Sequence, residues 1–182
     1  MKIGWCYLIV VGIIATAVGI FEVWGIAHYR VGWGEPLPQD KVWGKPLIRK
    51  APFDLMGSQL LTRYHFFMYC ALVPAMVLFL GLLLRHAPLS SPAHLFGWLA
   101  FVIAGTLGVM VSEDLLFFVF STILGTPYPH ALSRLFRGEA GWHPFQLSFF
   151  GLFKLPAAYI GIPPIAALLL WVASRFSLRR PR

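Results

Sequence analysis

Four stretches of this chain are too long and too apolar to belong in water: residues 4–29, 60–84, 94–124 and 146–174. An α-helix rises about 1.5 Å per residue and the hydrocarbon core of a bilayer is about 30 Å thick, so about 20 mostly apolar residues cross it. Each stretch meets that length. Hydrocarbon offers no partner to a backbone N–H or C=O, which restricts spanning segments to helices or closed barrels. Unbroken apolar runs, without the alternation of barrel strands, choose helices. The expected fold is all-α: an integral membrane four-helix bundle forming a single transmembrane domain over residues 1–182.

Composition agrees. The chain is 58% hydrophobic and 12% charged, against about 25% charged in an ordinary soluble domain. The four spans and their loops use up the length and leave no room for a separate soluble module. Met1-Lys2, the following apolar run and Ala15-Thr16-Ala17 have the outline of a signal peptide. The run continues past Ala17 to about Ile26, however, and is read as the first span. The formal charge of +8 lies in the loops and the Arg175–Arg182 tail. In a membrane chain such charge serves anionic lipid headgroups, so lipids are the expected partners and nucleic acid is not. Cys6 and Cys70 form no Cys-x-x-Cys pair and fall at different depths, so no disulfide is expected.

The first loop, 30–58, is rich in Pro, Gly and Trp and reads as an ordered cap in the headgroup zone. Pro156, Pro163 and Pro164 lie in the fourth stretch, where missing donors predict a kinked helix. Lys2, Arg85 and the arginines of the tail share a face with both termini. Their closeness to spans leans towards cytoplasmic termini.

Four antiparallel spans bring the ends of the first and third to the same face as the starts of the second and fourth. Glu22 is about 18 residues into its span and Glu113 about 19, so the two share a depth near that face. His65 lies about five residues into the second span, and His143 just precedes the fourth. All seven carboxylates and four of the six histidines fall in this half or its loops. A carboxylate at the centre of a span costs roughly 2.5–3.5 kcal/mol on insertion scales, so it faces a partner or a cavity. Glu113 and Asp114 are adjacent and point about 100° apart. At most one aims straight into the bundle, and the other must reach a neighbouring helix, a loop donor or the interface. Arg63 is a natural partner for one of them.

Three chemistries fit these residues. Glu22, His65, Glu113 and His143 form a ligand set for iron, manganese or zinc, as carboxylates and histidines on facing helices of a bundle do. Asp114, Arg63 and His28 would then orient the ligands by hydrogen bonds. Alternatively, Glu113 and Asp114 act without metal as proton donors to a lipophilic substrate such as an isoprenoid or quinone. Third, the acids pair with Arg63 and backbone donors and only fix packing, in a non-enzymatic subunit or scaffold. No Glu-x-x-His or His-x-x-x-His spacing occurs. Haem would need two histidines at matched depth, and His65 has only His28.

Two resemblances start at the acid pair. Glu113-Asp114-Leu115-Leu116-Phe117-Phe118-Val119 resembles the acid-pair-then-aromatic signature of the integral membrane lycopene cyclase domain. Val111 stands where that family has Pro, and Asp114 where it has Glu. That resemblance implies acid-initiated cyclisation of a polyene with Glu113 and Asp114 as proton donors. The longer run through Arg134-Leu135-Phe136-Arg137 and Trp142-His143 is similar to a group of small prokaryotic membrane proteins with an acid pair and a downstream Trp-His. It implies that Glu113, Asp114 and His143 share one site in a prokaryotic cytoplasmic membrane. The expectation carried forward is a membrane-embedded enzyme with a carboxylate–histidine, metal-binding site, acting on a lipophilic substrate that enters laterally.

Overall fold

A computed structural model describes residues 2–29, 66–85, 90–139 and 146–176, the side chains of 26–29 excepted. The expected ordered cap over 30–58 lies outside these residues. In chain order the elements are α1 (Ile3–Tyr29), a π-helical turn (Met68–Leu72) running into α2 (Val73–Arg85), and α3 (Pro92–Leu124). A short α4 (Ala131–Phe136), an antiparallel hairpin β1 (Gln146–Phe149) and β2 (Phe153–Pro156), and α5 (Ala158–Phe176) follow. The fold is mostly helical. Four helices among the described residues are long and apolar enough to cross a membrane: Ile3–Gly25, Met68–Arg85, Pro92–Leu124 and Ala158–Phe176.

The third helix is the hub, packing against α1, α2, α4 and α5. Its ends are well specified. Ser91 caps the start, its Oγ accepting from His94 N at 3.2 Å, and Pro92 fills a first-turn position that needs no donor. Gly125 stops it in the left-handed region, φ 66°. With 33 residues α3 is about 50 Å long, more than the thickness of a bilayer's hydrocarbon core.

Burial on α1 follows one stripe: Cys6, Val10, Val11, Ile14, Ala15, Val18 and Val23. Steps of four along Cys6, Val10, Ile14 and Val18, and of four and eight along Val11, Ala15 and Val23, keep them on one side of the helix. Trp5, Leu8, Ile13, Ile20, Phe21 and Trp24 point outward. The outward face is as apolar as the inward one, the pattern of a helix surrounded by hydrocarbon. Small residues then set helix separation. A Cβ placed on Gly105 of α3 would lie 2.5 Å from Val77 Cγ1 on α2, so the two helices touch through the glycine.

The observed elements alter the sequence reading in one place. Residues 146–156 open the expected fourth span but form the hairpin, with Leu147 opposite Leu155 and Phe149 opposite Phe153. The apolar helix starts only at Ala158. Pro156 therefore ends a strand, while Pro163 and Pro164 lie within α5. Cys6 is buried, Cys70 is exposed, and both are free thiols.

Candidate carboxyl–tyrosine site

One close approach between backbones creates the site. A Cβ on Gly19 would lie 3.3 Å from the Glu113 carbonyl oxygen and 3.2 Å from Leu116 Cβ. With no side chain there, α1 settles directly on α3. One turn beyond Gly19 stands Glu22, whose carboxyl comes close enough to the Glu113 carboxyl for the two to be coupled electrostatically.

Glu113 is 4% exposed. Its Oε1 accepts from the Tyr69 hydroxyl, which comes from the π-helical turn at the start of the second spanning helix. The extra residue in a π turn changes the direction of the side chains around it, and such turns recur at functional sites. Asp114, one residue on, faces another way. Its Oδ2 accepts from the Tyr159 hydroxyl at 2.5 Å, at the short end of the range for O–H···O. Tyr159 stands in the first turn of α5.

The two adjacent acids thus serve two interfaces. Glu113 is directed at α1 and the π turn, and Asp114 at α5. Electrostatic coupling links Glu113 to Glu22 and Asp114, and Tyr159 to both Asp114 and Glu113. The groups form one connected cluster: Tyr69, Glu22, Glu113, Asp114 and Tyr159.

Below the cluster is a dry apolar wall. Val23, Phe117, Phe118, Tyr128, Ala131 and Leu135 pack together, with Tyr159 against them. The short α4 closes this end. Its Leu132 N–H donates to Thr122 Oγ1 of α3 at 2.9 Å, and Glu139 bridges back to Arg134 and Arg137 at 3.1 and 2.6 Å. The two guanidinium groups hold the Glu139 carboxyl below its ordinary range, Arg137 most strongly.

Of the residues singled out in the sequence, Glu22, Glu113 and Asp114 come together at one depth. Arg63, His65 and His143 lie outside the described residues, as does the side chain of His28. Among the described residues no group of three or more His, Cys, Asp or Glu is placed to hold a metal ion. His94 belongs to the opposite end, with its Nδ1 3.4 Å from Ser90 Oγ. The sequence reading did not select Tyr69 and Tyr159, although a signal existed. Both are hydroxyl-bearing residues in apolar helices, and buried Tyr hydroxyls generally find partners.

No protein-family model matches this sequence, and no curated protein or solved structure is significantly similar to it.

Proposed function

We propose that the chain is a multi-pass integral protein of a prokaryotic cytoplasmic membrane, and that its carboxyl–tyrosine cluster is a metal-free acid catalyst for a lipophilic, polyene-like substrate entering from the bilayer. The observation that carries this reading is the meeting of the Glu22 and Glu113 carboxyls, with the Tyr69 hydroxyl donating to Glu113, inside an apolar bundle. In this reading the pair holds the proton that it transfers.

Proton transfer from this pair to a substrate C=C bond forms a C–H bond from the π electrons and leaves a carbocation beside a carboxylate. Ring closure uses a second double bond, and loss of a neighbouring proton back to the carboxylate gives a cyclic isomer. The step is redox-neutral and needs no co-reactant. Asp114, oriented by Tyr159, turns carboxyl oxygens towards the developing cation, the preorganised electrostatics that most lowers such barriers. Phe117, Phe118 and Tyr128 keep water from quenching it. The similarity of Glu113-Asp114-Leu115-Leu116-Phe117-Phe118-Val119 to the membrane lycopene cyclase signature supports the same chemistry.

Metal binding is a second reading, favoured by the convergence of Glu22 and Glu113, two of the four expected ligands. Those carboxyls would then share an iron, manganese or zinc ion in place of a proton.

One experiment separates the readings. Detergent-purified protein is assayed for metal and then incubated with an acyclic carotenoid in D2O. Acid catalysis predicts a cyclic isomer containing deuterium, no stoichiometric metal, and loss of turnover in Glu113→Gln. A stoichiometric transition metal that disappears in Glu113→Ala establishes the second reading. A folded, metal-free protein that leaves polyenes and quinones unchanged overturns both and makes the cluster a packing device.

A further inference from the structure

The hairpin between α4 and α5 ends in an apolar tip. Phe150 is 98% exposed and Leu152 83%, with Gly151 between them. Phe150 and Gly151 both have positive φ, 51° and 72°, and Leu152 N donates to Phe149 O at 2.9 Å. This is the geometry of a tight hairpin turn whose first central position usually carries Asn, Asp or Gly. A phenylalanine there is conformationally unfavourable. In water it is also unfavourably solvated, so nothing about an aqueous loop accounts for it.

The tip is held in position. Phe149 and Phe153 stack at 5.1 Å across the strands, and Phe153 meets Phe136 of α4 edge-on at 6.3 Å. Lys154 lies over Gly138, where an added Cβ would fall 2.5 Å from its Cδ. The buried Pro156 leads within two residues into the apolar helix α5. The hairpin is therefore joined directly to a membrane-crossing segment, at the level where that segment meets the headgroups. Among the described residues, Arg134, Arg137 and Lys154 lie at its base with the carboxylate of Glu139. An apolar tip beside a net positive base complements an anionic bilayer surface.

We infer that the hairpin 146–156 is a membrane-interface anchor: Phe150 and Leu152 insert into the acyl–headgroup boundary while Lys154 and the α4 arginines contact lipid phosphates. This rests on the reading of the four helices as membrane spans. Insertion would hold the start of α5, and with it Tyr159, at a fixed depth beside Asp114.

Site-directed spin labelling tests it in vesicles of phosphatidylethanolamine and phosphatidylglycerol. Nitroxides are placed at Phe150→Cys and, separately, Leu152→Cys, in a Cys70→Ala background that keeps the buried Cys6. Ile13→Cys on the outward face of α1 reports whether the helices are in lipid. Insertion predicts that labels at 150 and 152 shift, like that at 13, towards collision with oxygen and away from a water-soluble nickel chelate. Nickel access at 150 and 152 equal to that of a nitroxide in water, with residue 13 in lipid, overturns the anchor alone. Spin–spin broadening between copies at 150 overturns it in favour of a second chain covering the tip. Nickel access at residue 13 as well overturns the spanning reading and the anchor with it.

Discussion

The Tyr69 hydroxyl donates to Glu113 Oε1 and joins the π-helical turn before α2 to α3 at the level where Glu22 arrives from α1. Removing this donor while keeping the ring isolates its contribution. Tyr69→Phe leaves a buried acceptor short of a partner, which costs about 1–3 kcal/mol. Tyr159→Phe should act similarly through Asp114. Thermal unfolding in detergent should show a lowered midpoint for each variant. Midpoints equal to wild type in both would mean that the two carboxyls do not depend on these hydroxyls.

Glu113→Gln and Glu113→Ala should part company. Glutamine keeps the volume, an acceptor for Tyr69 and a donor for Glu22, so the fold persists while the transferable proton is lost. Alanine opens a cavity and strands both neighbours, costing about 2 kcal/mol or more. Under acid catalysis, Gln abolishes turnover with an almost unchanged melting midpoint. Retained turnover in Gln would remove Glu113 from the chemistry.

The helices α1 and α3 were legible in the sequence because each is one long apolar run, far longer than a strand. The shared depth of Glu22 and Glu113 followed from counting residues, since α1 and α3 run parallel in an up-and-down bundle and comparable positions come level. Residues 146–156 were misread for a physical reason. Leu147, Phe149, Phe150, Leu152 and Phe153 satisfy a hydropathy criterion equally well as helix or strand. Only Gly151 and the Gln146–Phe149 alternation separated the two. Tyr69 and Tyr159 were passed over because a cation, Arg63, was sought for the acids. In a low-dielectric interior a neutral hydroxyl satisfies a carboxyl without burying a second charge.

Beyond the long helices, Glu139 should show a depressed titration. Arg137 and Arg134 both donate to it and favour its charged form. Its folded pKa lies below the ordinary value, so the stability it contributes is fully present above that value. That contribution is lost as pH falls through the lower folded pKa. The carboxyl is fully solvated, so the effect on unfolding should be small. The direct reading is the carboxyl carbon shift by NMR, with a midpoint below the ordinary glutamate range that rises in Arg137→Ala. A midpoint unmoved by Arg137→Ala would show the bridge to be unformed in solution.

Gly19 and Gly12 stand on the same helix and should respond to alanine with opposite signs. A Cβ at Gly12 meets nothing within 4 Å, so Gly12→Ala gains helix propensity and stabilises by up to about 1 kcal/mol. At Gly19 the same Cβ meets the Glu113 carbonyl oxygen at 3.3 Å, which is backbone and cannot rotate away. The propensity gain is then set against strain, and Gly19→Leu adds overpacking of about 1–3 kcal/mol. Displacing α1 also draws Glu22 away from Glu113. Gly19→Leu should therefore lower the melting midpoint and turnover together, whereas Gly12→Leu should spare both. A Gly19→Leu variant with wild-type stability would mean that α1 does not rest on α3 at this level, and the approach of Glu22 to Glu113 would lose its structural basis.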